Sequence, residues 1–265
     1  MRRTCVIIPA RYGASRFPGK SLAILAGKPL ICHVVERAMR ARGVDLVAVA
    51  TDDERIAAAA ARAGARSLMT GPAATGTDRV AQAVRQLVPR PEIVVNLQGD
   101  EPLIEPAAIE ALLEAMTDPK VEMATLARPL EEGELERPHV VKVVCSGSGD
   151  ALYFSRAAIP YRRAGGPSSL ARAHVGIYAF REPFLQSFAS LEPGLLEQEE
   201  ALEQLRALER GHRIKVVETT YGGFGVDTPD DLERARAILD GRDLGREGAR
   251  PPPAVAGDVG KGQPW

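Results

Sequence analysis

The sequence has few cysteines and none in a spacing typical of a metal site or a disulfide framework. Cys5, Cys32 and Cys145 lie far apart, and no two of them form a CxxC pattern. This arrangement argues against both a zinc site and a stapled small domain. Because free cysteine is among the most buried residue types, we interpret all three as reduced core residues of a cytoplasmic protein.

Long apolar runs and an excess of one charge sign are also missing. The sequence contains no run of roughly 18 apolar residues to cross a bilayer, and its first apolar segment, about seven residues long, is too short for the core of a signal peptide. The chain has 34 basic and 35 acidic residues. Without a charge excess there is no electrostatic footprint for nucleic acid or an anionic membrane. We therefore expect neither nucleic-acid binding nor membrane insertion.

Short apolar strands alternate with amphipathic helices over the first half of the chain. Strands are predicted from Val6 and over residues 45–51, 66–69, 92–98 and 122–127, with helical patterns between them. Such alternation predicts an α/β fold with a doubly wound parallel sheet, which binds ligands at the carboxyl ends of its strands.

The pattern changes after Pro129. Residues 139–145 and 151–154 are predicted to be neighbouring strands joined by a turn, which indicates a mixed-sheet insertion. The later predictions are a strand over 173–180, a helix over 183–189, one long helix over 197–210, a strand over 213–218 and a final helix from Thr228 to about Leu239. Residues 241–265 are rich in glycine and proline and are predicted to be a disordered tail.

The loop after the first strand is rich in small and basic residues. It contains Arg11, Gly13, Ser15, Arg16, Gly19 and Lys20, and no acidic residue precedes Glu36. Small residues let the backbone approach a ligand, and cationic groups make charge-assisted hydrogen bonds to phosphate. The segment resembles a P-loop, but five residues separate its glycines where the Walker pattern requires four. We predict an anion-binding loop of another kind, the alternative being an ordinary solvated connection.

Two carboxylates, Asp100 and Asp227, lie at or beyond the ends of predicted strands. Such a pair suits Mg²⁺, which takes a few protein oxygens and completes its shell with phosphate and water. The alternative for Asp227 is that it merely precedes a capped helix. The acidic residues at 52–54 are better explained as the charged start of a helix than as a metal-binding DxD motif.

Six phrases of the sequence, together and in this order, resemble those of the 3-deoxy-manno-octulosonate cytidylyltransferases, the CMP-KDO synthetases. They are IIPARYGASRFPGK (7–20), NLQGDEP (96–102), ALYFSRA (151–157), HVGIY (174–178), LEQLR (202–206) and GVDTP (225–229). The opening phrase is shared with CMP-sialic acid synthetases, but the set of six is similar to the KDO enzymes. The resemblance covers about residues 4–240.

The resemblance implies a Rossmann-like nucleotide-diphospho-sugar transferase fold in a single domain, 1–240. Its mixed sheet would carry an inserted dimerisation subdomain at about 129–190, and the enzyme would work as a homodimer. The implied reaction converts CTP and 3-deoxy-D-manno-octulosonate (KDO) into CMP-KDO and diphosphate for lipopolysaccharide biosynthesis, with Mg²⁺ as cofactor.

The resemblance also implies residue roles. The triphosphate would be held by Arg11, Ser15, Arg16 and Lys20, and the nucleotide further placed by Arg79 and Gln98. Asp100 and Asp227 would bind Mg²⁺ and, with Arg11 and Lys20, form the catalytic set. The sugar pocket would be lined by Gln98, Arg156, His174, Tyr178, Glu203 and Gln204.

Other interpretations remain open at this point. His174 could be a satisfied core histidine, and Lys142 is expected to extend its ammonium group to solvent. His139 stands where the family usually has Asn, and the segment 163–174 is short, which affects the sugar pocket. The function alternatives are a CMP-transferase for another acidic sugar, such as a sialic acid or 8-amino-KDO, and a non-catalytic nucleotide-binding protein. A metal-dependent glycosyltransferase fits less well because a DxD motif at a strand end is missing.

Overall fold

The computed structural model describes residues 3–13, 17–163 and 170–241. Ser15, Arg16 and the predicted tail beyond Gly241 lie outside these residues. The strands are β1 (Thr4–Ala10), β2 (Ile24–Leu25), β3 (Lys28–Pro29), β4 (Leu46–Thr51), β5 (Arg66–Met69), β6 (Ile93–Asn96), β7 (Met123–Pro129), β8 (Lys142–Cys145), β9 (Ala151–Ser155), β10 (Arg172–Arg181) and β11 (Ile214–Glu218). The helices are α1 (Leu30–Ala38), α2 (Glu54–Arg62), α3 (Gly76–Val84), α4 (Pro106–Ala115), α5 (Glu182–Ala189), α6 (Leu195–Glu200), α7 (Leu205–Glu209) and α8 (Pro229–Leu239), and Lys20–Leu22 forms a 3-10 turn.

A mixed sheet organises the described residues. Its strand order is β11-β7-β10-β6-β1-β4-β5, and β8 and β9 extend from β10 as a hairpin. Strand β1 lies parallel to both β4 and β6, whereas β10 is antiparallel to its neighbours β6 and β7. The predicted α/β class and mixed sheet are therefore confirmed, with β10 as the element that makes the sheet mixed.

Strand β1 runs through the centre of the sheet and is buried on both faces. Val6 and Ile8 belong to one apolar core, and Cys5 and Ile7 belong to the other. Burial on both faces explains why the strand is a continuous apolar run instead of an alternating one. None of the helices in the described ranges has the length and apolar composition needed to cross a bilayer.

The prediction of one long helix over 197–210 is wrong. Helix α6 ends at Glu200, because Ala201 takes the left-handed conformation with φ of 50°, and α7 begins only at Leu205. The Arg156 side chain donates from Nε to the Glu200 carbonyl at 2.7 Å and from Nη2 to the Ala201 carbonyl at 3.2 Å. These bonds satisfy carbonyls that a continuing helix would have used, so they stabilise the break.

The expectation for Lys142 is also wrong. Its side chain is completely buried at the start of β8, and its ammonium group donates to the carbonyls of Arg137, Val140 and Arg156 at 2.9, 2.7 and 2.5 Å. The strand begins at this residue, later than predicted. Residue Cys145 is only half-buried, unlike the other two cysteines.

Candidate active site

A cavity of about 320 Å³ opens at the carboxyl ends of β1 and β6. Its walls come from the loops that follow these strands, from the start of α3 and from the residue that precedes the N-cap of α8. The predicted residues that line it are Arg11, Lys20, Arg79, Gln98, Asp100 and Asp227. The cavity therefore lies where ligands bind in open α/β sheets.

Gly99 lets the loop after β6 come close to β1. A Cβ atom at this position would lie 2.8 Å from the Pro9 carbonyl oxygen, and that backbone atom cannot move aside easily. The N–H of Leu97 also donates to the Ile7 carbonyl at 3.2 Å, which ties the two strand ends together. Glycine at 99 thus places Asp100 beside the end of β1.

The loop between Arg11 and Lys20 is closed at its base by Tyr12 and Gly19. The N–H of Gly19 donates to the Tyr12 carbonyl at 2.8 Å, and Gly19 takes φ of 74°. The Arg55 guanidinium lies 3.8 Å from the centre of the Tyr12 ring. This closure holds Arg11 and Lys20 together at the cavity wall.

The Lys20 ammonium group lies between the two predicted metal ligands. Its Nζ is 2.6 Å from Asp100 Oδ2 and 2.9 Å from Asp227 Oδ1. Burial by itself would lower the pKa of Lys20, but the two carboxylates outweigh it and raise the pKa above its ordinary value. Lys20 is therefore a permanent cation, bound in this structure to the carboxylates and not available to a phosphate.

The donor set fits a small hard cation. Two carboxylates within reach of one ammonium nitrogen lie close enough together to share one ion. In the part of the chain that the structure describes, no cluster of three or more His, Cys, Asp or Glu side chains could hold a metal by itself. A cation at Asp100 and Asp227 would therefore complete its shell with substrate oxygens and water, as Mg²⁺ does.

Asp227 is held from both sides along the chain. Its N–H donates to Asp231 Oδ2 at 3.1 Å, and Asp231 forms a capping box with Thr228 at the start of α8. The preceding N–H, of Val226, donates to the Asp100 carbonyl at 2.8 Å. The predicted capped helix is confirmed, and the cap contributes to placing Asp227 at the cavity.

Arg79 is buried at the edge of the cavity and already has partners. Its Nη2 lies 2.7 Å from Asp52 Oδ2, and its Nη1 donates to Thr70 Oγ1 at 2.5 Å. Asp53, the next residue, accepts from backbone N–H groups of α2 as its N-cap. The interpretation of the acidic triplet as a helix start is thus confirmed, with Asp52 in the added role of orienting Arg79.

A chain of hydrogen bonds leads from the cavity to one of the predicted sugar residues. Gln98 Nε2 donates to Asn96 Oδ1 at 3.1 Å, Asn96 Nδ2 to Thr77 Oγ1 at 3.2 Å, and Thr77 Oγ1 to Glu203 Oε2 at 2.6 Å. Tyr178 lies opposite Asn96 on the neighbouring strand β10. Burial, and then the nearby charge of Glu203, raise the pKa of Tyr178.

Two buried polar atoms beside these hydrogen bonds have no hydrogen-bond partner among the described residues: Glu203 Oε1 and Gln204 Nε2. Burial also raises the pKa of Glu203. Unpartnered buried polar atoms are costly, so their presence indicates that a ligand, water or ion satisfies them. The pair supplies one acceptor and one donor.

His174 and Arg156 have partners within the protein and are absent from the lining of the cavity. His174 Nε2 is 2.9 Å from Thr125 Oγ1, and its ring centre is 5.6 Å from that of Tyr178. Burial lowers the pKa of His174 to about 3, so its ring is neutral. Arg156 donates to the carbonyls of Glu200, Ala201 and Pro138. The structure thus places both residues in the protein framework beside the site.

Comparison with known proteins identifies the family. The family model for cytidylyltransferases matches residues 5–214. A 3-deoxy-manno-octulosonate cytidylyltransferase from Anaeromyxobacter dehalogenans is 74% identical over 239 residues, which span 90% of this chain and 98% of that relative. The chain belongs to this cytidylyltransferase family.

Other family members and solved structures agree. A relative of the same name from Myxococcus xanthus is 48% identical over 91% of this chain and 98% of its own length. A structure of CMP:2-keto-3-deoxy-manno-octonic acid synthetase in complex with CTP superposes with a TM-score of 0.86 at 44% identity, over 90% of this chain and 99% of that one. A 4-diphosphocytidyl-2C-methyl-D-erythritol synthase from Anaerococcus prevotii shares only the fold, with a TM-score of 0.61 at 14% identity over 90% of this chain and 99% of that one.

The residues predicted from the sequence do not include four polar residues at or beside this cytidylyltransferase site. Asn96 and Thr77 form the hydrogen-bond chain, and Glu101, next to Asp100 in the sequence, accepts a hydrogen bond from the Tyr221 hydroxyl. The signal for Asn96 was present, since a polar side chain ends an otherwise apolar central strand. The contact between Glu101 and Tyr221 joins residues far apart in sequence, so no local pattern reveals it.

Proposed function

We propose that this cytidylyltransferase transfers CMP from CTP to KDO and releases diphosphate. The observation that carries the proposal is the convergence of Arg11, Lys20, Asp100 and Asp227 on one cavity at the strand ends. A nucleotide-binding protein without catalytic activity would have no need of a carboxylate pair beside its phosphate-binding cations.

The reaction requires positioning and charge stabilisation more than covalent chemistry from the protein. The anomeric oxygen of KDO forms a bond to the α-phosphorus of CTP while the bond to the diphosphate oxygen breaks, and the hydroxyl proton passes to solvent. Negative charge develops on the phosphoryl oxygens and on the departing diphosphate. Arg11 at the cavity wall, and Lys20 once it has left the two carboxylates, would supply positive charge to those oxygens.

Asp100 and Asp227 would hold Mg²⁺ when the substrate is bound. The ion would neutralise phosphate charge and polarise the attacking hydroxyl. For the carboxylates to accept it, the Lys20 ammonium group has to leave its place between them. We propose a phosphate oxygen of the nucleotide as the new partner of that group, which is the role predicted for Lys20 from the sequence.

The sugar is proposed to bind beyond Gln98, along the hydrogen-bond chain to Glu203. The unpartnered atoms of Glu203 and Gln204 offer an acceptor and a donor to sugar hydroxyls. Tyr178 and the neutral ring of His174 complete that side. Arg156 is the proposed partner for the KDO carboxylate, and it would exchange one of its carbonyl contacts for that charged group.

The test is diphosphate release from CTP and Mg²⁺ with a panel of acidic sugars. We expect release with KDO, and the Asp100→Asn variant to lower kcat at least about 100-fold because it removes a charge facing the metal. Release with a sialic acid or 8-amino-KDO but not with KDO would assign another sugar. If no sugar of the panel leads to diphosphate release, the non-catalytic alternative is favoured. Circular dichroism of the variant checks that the fold is intact.

We also propose that the chain works as a homodimer through the segment 129–190. Within this segment three large apolar side chains are strongly exposed: Leu152, Tyr161 and Leu170, at 62%, 90% and 71% of their surface. Leu152 lies on β9, in the hairpin that extends from β10. Apolar exposure of this extent on one segment is typical of an association surface.

A further inference from the structure

The carboxylate pair depends on a loop that cannot fix its own conformation. Asp227 ends the segment 221–227, which contains Gly222, Gly223 and Gly225. Gly223 takes φ of 71°. Glycine loses more conformational freedom on ordering than any other residue. Besides the bond from the Asp227 N–H to Asp231 at the end of the loop, a contact nearer its start is therefore required to hold Asp227 opposite Asp100.

Glu101 makes that contact. Its Oε2 accepts a hydrogen bond from the Tyr221 hydroxyl at 2.5 Å and another from the Phe224 N–H at 3.0 Å. The Phe224 N–H also lies 3.2 Å from the Tyr221 hydroxyl oxygen. Tyr221 is only 3% exposed, so its hydroxyl is held in one place by the surrounding core. One carboxylate oxygen thus fastens the loop at two points, three residues apart.

Asp100, the residue before Glu101, also binds the loop 221–227. The Val226 N–H donates to the Asp100 carbonyl at 2.8 Å, so the loop is bound to residues 100 and 101 along most of its length. Asp100 directs its carboxylate into the cavity toward Lys20, and Glu101 directs its own toward the glycine-rich loop. Neither Glu101 nor Tyr221 lines the cavity.

We propose that Glu101 and Tyr221 are a positioning pair that sets the separation of Asp227 from Asp100, and through it the affinity of the site for a divalent cation. The inference rests on the proposed function, in which the two aspartates hold the metal. The pair acts through the loop backbone and does not touch the substrate.

The experiment measures Mn²⁺ binding to the full chain with CTP and without sugar, by electron paramagnetic resonance. Tyr221→Phe removes only the hydroxyl, and Glu101→Leu removes the carboxylate oxygen that accepts both hydrogen bonds. Each variant should weaken Mn²⁺ binding about tenfold, the cost of one hydrogen bond to a charged group. The double variant should be no more than about twofold weaker than either single one, because both changes break the same contact.

Two further measurements separate positioning from general loosening. The affinity for CTP without metal should stay within about twofold of the wild type, since neither residue lines the cavity. Tyr153→Phe, which removes a tyrosine hydroxyl on β9, is the matched control and should leave Mn²⁺ binding unchanged.

Each other outcome overturns the inference in a recognisable way. Mn²⁺ binding within twofold of wild type in Tyr221→Phe would show that the hydroxyl does not set metal affinity. An equal loss of metal binding, metal-free CTP binding and thermal stability would mean a structural role alone. A wild type that releases diphosphate but binds no Mn²⁺ with CTP would contradict the metal role in the proposed function, and the inference with it.

Discussion

At the scale of single residues, the Lys20 ammonium group occupies the position proposed for the metal ion. Its ammonium group pairs with both Asp100 and Asp227, so a divalent cation has to compete with it. Lys20→Met should therefore tighten Mn²⁺ binding to the nucleotide-free chain about tenfold, even as it lowers turnover at least about 100-fold. A Mn²⁺ titration without CTP measures the first effect.

The control for this prediction is Lys28→Met, because Lys28 pairs with Glu36 away from the cavity. Lys28→Met should change neither the affinity for Mn²⁺ nor the turnover. Metal binding that is unchanged or weaker in Lys20→Met would mean that the ammonium group does not compete for the carboxylates.

His174 makes stability depend on pH. Burial lowers its folded pKa to about 3, below the unfolded value of 6.5, so the unfolded chain takes up a proton that the folded chain refuses. Stability is complete above pH 6.5 and falls as the pH drops toward 3. Relative to His174→Asn, the wild type should lose up to about 2 kcal/mol between pH 7 and pH 5. Urea unfolding at the two pH values checks this, and equal slopes for the two proteins would contradict it.

At the scale of elements, Lys142 joins the start of β8 to the turn after β9. Its three hydrogen bonds end on backbone carbonyls of Arg137, Val140 and Arg156, with no carboxylate among them. Lys142→Met keeps most of the apolar stem but removes the donor from the Val140 and Arg156 carbonyls, while the Arg137 carbonyl keeps its bond from the Val140 N–H. We expect a loss of about 2–4 kcal/mol in the free energy of unfolding, measured in urea. Lys120→Met, at an exposed position, should cost less than about 0.5 kcal/mol.

Local patterns predicted most elements because the central strands are apolar on both faces and the helices have one apolar side. Local patterns failed where contacts between residues far apart in the sequence determine the structure. The apolar periodicity predicts a helix that continues through Ala201. The helix ends there because Ala201 is left-handed and the side chain of Arg156 binds the freed carbonyls. The burial of Lys142 and the contact of Glu101 with Tyr221 likewise depend on partners that no local window contains.

At the scale of the whole molecule, the proposed dimer predicts that an exposed leucine decides the oligomeric state. Leu152→Glu places a charge on the β9 surface and should convert a dimer into a monomer in light scattering, because burying an unpaired charge is costly. Met69→Glu, at the exposed far edge of the sheet on β5, should leave the mass unchanged. A monomeric wild type, or a Leu152→Glu variant of unaltered mass, would remove β9 from the interface.

The position of β10 has a consequence for synthesis on the ribosome. Strands β6 and β7 emerge early, yet they never pair with each other, since β10 lies between them and begins only at Arg172. Until β10 is synthesised, β6 and β7 each have one strand edge without its native partner. Such unpaired edges favour non-native strand pairing and aggregation. The segment between β7 and β10 therefore lengthens the exposure of the unfinished sheet, and we expect the nascent chain to need a chaperone until β10 has left the exit tunnel.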